Sequence, residues 1–542
     1  MKEKYLLLLL IFSGAAASAL GVILPQYFGF VQWFSLIPAI YAVMRLASDK
    51  KRRLRSYYGY GLLFFWTYYA VCFHWFSYLY PLDFTGINNF FSVIVIIIAI
   101  FGLSLLQALI SAPMLLVFGA FSKLGAFDRC PYLQVIMLPP LYALFEFVQT
   151  LGWWGVPWAR LCLGQSYCLQ ILATASLFGS YIITALIVFV NSVFAYAIFK
   201  FRSIKSSALV SAVAVLAFSL NLGAGAIIYS VRSAEYKQAE KIKVAAIQGN
   251  YSSSDKWSAN SWEVLGVYSE LTEKAAAEGA ELIIWPETAY PFETKPDSPA
   301  ISKLEALAQR TGADLIIGTI AVIDAKTYNI CYHISAKSGL DGTVYVKRRL
   351  VPFGEYVPMR SFIEFALPFM SDISILSDDM TPGTEPEVFY IDGVGKTGSI
   401  ICFDSIYEEL VADTVRNGAE LIAMSTNDSW FSDSCGIYMH NNQARLRSIE
   451  FARATVRAGN TGVSAIITST GDISAEMDIL TRGYVVGEAA VSAERTLYSY
   501  IGNLFIYISA AEVFALLGFE IYRYRKLRLA DEKPKAMTDL ID

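Results

Sequence analysis

The chain has 542 residues, of which 55% are hydrophobic, 14% aromatic and only 17% charged. Soluble domains are nearer a quarter charged, so the composition points to a bilayer and away from an ordinary soluble enzyme. The formal charge of −4 is the small difference between 43 basic and 47 acidic side chains segregated along the chain, and no basic domain or zinc-finger spacing marks nucleic-acid binding.

Apolar runs crowd the first 230 residues: Tyr5 to Leu24, Tyr27 to Ala47, Tyr57 to Tyr80, Phe90 to Phe121, Leu133 to Leu151, Cys168 to Phe199 and Ala208 to Tyr229. About 20 apolar residues cross a hydrocarbon core as helix, so seven spans are expected, with an eighth at Tyr498 to Tyr522. The first run, with Lys2, Lys4 and a small-residue end, also has the look of a cleaved signal peptide. The next span follows almost at once, which favours an uncleaved helix. Basic residues collect in alternate connections: Lys50 to Arg55, Lys123 and Arg129, Lys200 to Lys205, and Arg523 to Arg528. The other connections hold almost none beyond Arg160. The positive-inside rule therefore expects both termini in the cytoplasm and the segment after span seven outside.

That segment, 231–497, alternates strand-like runs (KVAAIQG, ELIIWPE, ADLIIGTIAVI, GSIICFD, ELIAMSTND, GVSAIITST) with helical ones (SWEVLGVYSELTEKAAAEGA, AISKLEALAQRTG, HNNQARLRSIEFARATVR). Short buried strands separated by helices imply a layered α/β domain. Gly279, Gly312 and Gly418 each follow a helical run and precede a strand, as C-terminal caps do. The expected division is a membrane domain (1–230), an extracytoplasmic catalytic domain (231–497), a last span (498–522) and a cytoplasmic tail (523–542).

Seven cysteines show no disulfide or zinc spacing, and Cys331 and Cys435 could be free or paired outside the cytoplasm. The three histidines sit in no metal or triad motif, so a catalytic base is expected to be a carboxylate, with no metal and no cofactor. Three positions end strand patterns, where α/β folds place their sites. Glu287, in IIWPETAYP, follows a proline that stops the ladder; alone it would be an ordinary loop glutamate. Lys347, Arg348 and Arg349 precede an apolar Pro/Gly loop containing Glu355, and any of the three fits the inward position. Cys402, in TGSIICFDSIYEEL, has the ordinary alternative of a packed thiol. A helix beginning just beyond it would lower its pKa and aim backbone N–H groups at a carbonyl oxygen. Together, a carboxylate base, a thiol nucleophile and a lysine opposite an oxyanion make an acyl-transfer set.

These residues, in this order, resemble the nitrilase (carbon–nitrogen hydrolase) superfamily. The resemblance is closer to its membrane-embedded branch, the apolipoprotein N-acyltransferases. It is carried by QGNYSSSDKW (Gln248 to Trp257), WPETAYP (Trp285 to Pro291), KRRLVPFGEYVP (Lys347 to Pro358), ICFD (Ile401 to Asp404) and TNDSWF (Thr426 to Phe431). The resemblance implies a nitrilase-like αββα sandwich inserted between helices seven and eight of an eight-helix bundle in a bacterial inner membrane, with its catalytic domain on the outer, periplasmic face. It implies a ping-pong reaction: Cys402 takes an acyl chain from a phospholipid, with phosphatidylethanolamine the expected donor. The chain then passes to the N-terminal amine of a diacylglyceryl-cysteine apolipoprotein. Glu287 is the implied base, Lys347 the oxyanion partner and Cys402 the nucleophile, with Trp257 and Glu355 at supporting positions and a monomer expected.

The sequence departs from the family where Tyr-Glu usually follows the cysteine. Here Phe403 loses the hydroxyl and Asp404 carries its charge on a shorter arm, which puts any bond from these positions to the lysine or the substrate amine in question. The substrate class fits independently. Drawing an acyl chain into water costs about 0.8 kcal/mol per CH₂, so the site should lie at the bilayer surface. The apolar segment Met359 to Leu376 is expected to dip into the outer leaflet and gate lipid entry. The rivals are a tethered amidase that hydrolyses its thioester and a transporter or scaffold with an inert domain. Charged residues within the spans are scarce, Glu146 being the clearest, which disfavours a pumping pathway.

Overall fold

A computed structural model describes residues 2–82, 87–201, 203–252, 260–293, 295–366 and 379–538. Among the described residues, six helices are long and apolar enough to cross a membrane: Lys2–Ile23, Pro25–Ser48, Asn89–Lys123, Tyr181–Phe199, Ile204–Gln238 and Leu504–Arg528. The expected third span is the tyrosine-rich helix Leu54–Cys72, followed by a 3₁₀ segment His74–Leu79. The expected fifth is shorter because it is interrupted: Leu133–Ile136 ends before Pro139 and Pro140, which lie in the first turn of Leu138–Val148. A ring in place of a backbone N–H is tolerated only there. The seventh expected span continues past residue 230 to Gln238, close to the first strand of the next domain.

Thirteen strands follow. They are β1 Lys241–Gln248, β2 Leu282–Ile284, β3 Tyr290–Glu293, β4 Asp314–Ile323, β5 Lys326–Ser335, β6 Gly339–Val346, β7 Val388–Ile391, β8 Gly395–Ile401, β9 Leu421–Thr426, β10 Thr455–Gly459, β11 Ser464–Ile467, β12 Ile473–Met477 and β13 Gly483–Ala490. One sheet runs β13-β1-β2-β4-β5-β6, with β3 on β4; the other runs β12-β11-β10-β9-β8-β7. The α/β expectation holds, and the short apolar runs β2, β8 and β9 are buried on both faces, as parallel strands are.

Val244, Leu282, Ile316 and Tyr345 of the first sheet meet Phe389, Ile401, Leu421 and Val456 of the second in one core. The outer face of the first sheet packs Ile283, Trp285, Leu315 and Ile317 on helices Ser261–Ala277 and Pro299–Thr311. The second sheet is covered by Glu408–Arg416 and Cys435–Phe451. This is an αββα sandwich. The last of these helices shares a continuous apolar core with the membrane half, through Ile437, Leu446 and Ile449. One expectation fails here. The helical run ending in ATVR stops at Phe451, and Thr455 to Arg457 form β10, because two β-branched residues complete the ladder between β9 and β11. The three cap glycines all have positive φ.

Candidate active site

The carboxyl ends of β2, β6, β8 and β9 lie along one edge of the sandwich. β1, β2 and β4 are parallel, and two antiparallel steps through β5 bring β6 into the same direction. In the facing sheet β8, β9 and β10 are parallel. Glu287, Lys347 and Cys402 are the residues just beyond β2, β6 and β8, so topology gathers positions far apart in sequence. The sheets are joined at this edge, where the Ser425 hydroxyl of β9 donates to the Trp285 carbonyl at 2.8 Å.

Lys347 is the inward member of the basic triplet, and only 1% exposed. Its Nζ lies 2.7 Å from Glu287 Oε1 and 2.8 Å from Glu355 Oε2. Arg348 and Arg349 instead turn to Asp413 (2.9 Å) and Glu409 (3.1 Å). Burial alone would lower the Lys347 pKa, but Glu287 and then Glu355 hold it well above the usual lysine range, so the ammonium persists. Glu287 is fixed from three sides. Besides the lysine, Asn329 Nδ2 donates to Oε1 at 2.8 Å and the Asn427 backbone N–H donates to Oε2 at 3.0 Å. Asn329 Nδ2 also donates to Glu355 Oε1 at 2.8 Å, bridging the two carboxylates. Glu355 Oε2 further accepts from the Val351 N–H.

Gly318 of β4 makes room for this loop. A Cβ there would collide with the Pro286 carbonyl and come within 2.9 Å of the Glu287 Cα. Thr288 and Cys402 both hold positive φ, at 46° and 48°, a conformation costly for residues with a side chain. These two strained residues sit at the ends of β2 and β8, where the chain must turn sharply to present the site.

At Cys402 one expectation is corrected. The residues after it form a 3₁₀ turn, Cys402–Ile406, and the α-helix begins only at Glu408. The helix end is therefore not at the thiol. Burial, and then the Glu287 carboxylate, push the thiol pKa well above its ordinary value against the pull of Lys347. The resting group is a thiol.

Asp404 carries the second correction. It is fully buried and bonds neither the lysine nor an open cleft. Its Oδ2 accepts from the Tyr345 hydroxyl at 2.8 Å and the Ile401 N–H at 3.3 Å, and its Oδ1 from the Arg349 N–H at 2.7 Å. It thereby ties the end of β6 to the Cys402 turn. Burial raises its pKa to about 6, against Lys347 and these donors. Phe403 packs edge-on against Tyr407 and joins the core shared with the membrane half. Trp257 lies outside the described residues, as does the expected gate from residue 367 onward; Phe365, just before it, is 85% exposed. Cys331 and Cys435 are both free thiols.

Two features of the site carry no clear mark in the sequence: Asn329, a lone amide in strand β5, and a buried trio behind Cys402. His440 Nδ1 is 2.8 Å from Asp428 Oδ1, and Arg457 Nη2 donates to Asp428 Oδ2 at 2.7 Å. His440 Nε2 faces the Cys402 main-chain carbonyl at 3.2 Å, so the trio braces the backbone of the strained turn. Burial would raise Asp428, but Arg457 and His440 hold its carboxyl well below the usual range. The nearest signal is in TNDSWF, where an acid directly follows a buried strand.

Residues 243–498 match the carbon-nitrogen hydrolase family, and residues 15–193 match the apolipoprotein N-acyltransferase N-terminal domain. An apolipoprotein N-acyltransferase from Geobacter metallireducens is 30% identical over 395 residues, covering 71% of this chain and 74% of that protein. One from Pasteurella multocida is 26% identical over 544 residues, covering 97% and 98%. Among solved structures, an amidase from Nesterenkonia sp. is 16% identical with a TM-score of 0.36, covering 46% of this chain and 91% of that one. With both domains matched and relatives aligned along most of its length, the chain belongs to the apolipoprotein N-acyltransferase family.

Proposed function

We propose that this membrane enzyme N-acylates apolipoproteins through a Cys402 thioester, with Glu287 as base and Lys347 as oxyanion partner. The observation that carries the mechanism is the convergence of these three buried side chains at one sheet edge, on a domain fused to apolar helices. The thiol is protonated at rest, so Glu287 takes its proton as sulfur attacks the ester carbonyl of a phospholipid. Once Glu287 is neutral, Lys347 keeps its charge with one carboxylate fewer against it, and its field turns to the oxyanion. The tetrahedral intermediate collapses by breaking the C–O bond. The proton on Glu287 goes to the departing lysophospholipid oxygen, leaving the thioester. The apolipoprotein α-amine then attacks the thioester carbon. Glu287 accepts a proton from the amine, the C–S bond breaks, and Glu287 passes that proton to the departing sulfur, restoring the thiol and the carboxylate.

Phosphatidylethanolamine is the proposed donor and a monomer the proposed unit. Glu355 and Asn329 hold Glu287 and Lys347 in register, Asp404 fixes the turn, and Phe403 seats it against the membrane half. Trp257 is assigned to the substrate side by its motif. The proposed arrangement has eight spans in the inner membrane, counting the tyrosine-rich helix Leu54–Cys72 and the shorter Leu133–Val148. Both termini are cytoplasmic and the catalytic domain, 231–497, is periplasmic. The apolar stretch beginning at Met359 is the proposed contact with the outer leaflet, which the exposure of Met359, Phe362 and Phe365 supports. The reading is tested by incubating purified enzyme with phosphatidylethanolamine and a synthetic diacylated lipopeptide. The lipopeptide should gain the mass of one acyl chain, and Cys402→Ala should abolish the gain. Hydrolysed fatty acid with an unmodified lipopeptide would instead establish an amidase-like hydrolase.

A further inference from the structure

Arg160, the lone basic residue of its set of connections, is completely buried. It belongs to a strap from the membrane half, residues 155–160, that lies against the catalytic domain near the nucleophile turn. The Tyr407 hydroxyl donates to the Gly155 carbonyl at 3.2 Å. Gln443 Nε2 donates to the Pro157 and Trp158 carbonyls, each at 3.2 Å. Arg160 Nη2 donates to Glu408 Oε2 at 2.8 Å, and Glu408 is the first residue of the helix that follows the turn.

The contact is built from both sides. On the membrane side, Arg160 donates to Ser180 Oγ (2.9 Å) and to the Tyr181 hydroxyl, and its guanidinium lies 4.3 Å from the Tyr181 ring centroid. Tyr181 in turn donates to Glu408 Oε1 at 2.7 Å. On the catalytic side, Arg447 stands between Glu408 (3.5 Å) and Glu450 (3.0 Å), and Glu450 Oε1 accepts the Ser180 N–H at 3.0 Å. Glu146, the other charge singled out in the spans, fastens the strap. Its oxygens accept from the Leu161 N–H at 2.7 Å and the Thr184 hydroxyl at 2.8 Å.

A buried ion pair adds little net stability over apolar packing of the same shape, but it is strict about geometry. Apolar packing alone would let the two halves slide. A guanidinium whose two arms reach Glu408 on the catalytic side and Ser180 on the membrane side would not. We propose that Arg160 is a positioning residue, which acts through Glu408 to hold the Cys402 turn in register with the membrane half, where the lipid substrates arrive. The proposal rests on the thiol reading above. It separates two properties of Cys402: access to a small soluble reagent, which needs no register with the membrane, and reaction with a lipid, which does.

The test uses full-length enzyme in phosphatidylethanolamine nanodiscs with two readouts, Cys402 alkylation by iodoacetamide and acylation of a diacylated lipopeptide. Arg160→Met should lower acyl transfer about 10- to 100-fold, as misplacement by an ångström does, while alkylation stays within about twofold. Arg160→Lys, which keeps the charge and loses the fork, should recover part of the transfer. Glu408→Gln should reproduce the split from the other side. Transfer by Arg160→Met at the wild-type rate would overturn the proposal alone, as would transfer and alkylation falling by one common factor. An unlabelled Cys402 in the wild type would overturn the thiol reading and this proposal together.

Discussion

Two buried charge clusters lie near the Cys402 turn, and they are paired differently. Around Lys347, one cation faces two carboxylates, Glu287 and Glu355. Between the domains, Arg160 and Arg447 face Glu408 and Glu450, two against two. The paired cluster is strict about geometry, and it suits a fixed joint. The unbalanced one holds a carboxylate in excess beside a protonated thiol, so taking that proton moves the excess negative charge from the carboxylate to the attacking sulfur, opposite Lys347. Which carboxylate accepts it is set by position, because Glu287 is the one whose charge bears on Cys402.

This difference can be broken at several points. The largest effect is expected at Lys347. Lys347→Met leaves two facing carboxylates buried without their cation, so acyl transfer should fall by about 10³ or more. Loss of one partner from a buried pair should also cost about 3–5 kcal/mol in denaturant unfolding. Glu287→Gln keeps the shape but cannot take the thiol proton. Single-turnover acylation should fall by about 10²–10⁴, with phospholipid binding unchanged.

Gly318→Ala tests placement without touching charge. The added methyl collides with the Pro286 carbonyl and moves Glu287, so kcat should drop by about 10- to 100-fold with the site's residues all present. Asp404 tests pH. Its folded pKa of about 6 lies above the ordinary 3.8, so the folded state binds the proton more tightly. The stability it contributes is complete below pH 3.8 and is lost as pH rises through 6. Thermal unfolding should show that slope in the wild type and lose it in Asp404→Asn. The smallest effects belong to Arg348 and Arg349, whose partly exposed pairs with Asp413 and Glu409 are worth about 0–1 kcal/mol, so alanine at either should leave transfer within about twofold.

The two halves of the chain were unequally legible. Hydropathy marked the helices, but it misjudged lengths wherever Pro139, Pro140 or a tyrosine-rich stretch altered the helix. In the catalytic half, short apolar strands and glycine caps gave the α/β pattern, and strand ends gave Glu287, Cys402 and the basic triplet Lys347 to Arg349, within which only the structure shows which member turns inward. What stayed hidden was whatever depends on partners distant in sequence. Asn329 looks like any strand residue until β5 is paired with β6. Asp404 looked like a replaced substrate contact until Tyr345 was found beneath it. The helix expected at Cys402 begins later because the chain must first turn through positive φ to bring the thiol to the sheet edge.

The most direct measurement is intact-mass analysis of the enzyme given phosphatidylethanolamine without acceptor. One acyl adduct should form, map to the Cys402 peptide, and discharge on adding diacylated lipopeptide. An adduct on any other residue, or full transfer activity in Cys402→Ala, would contradict the account.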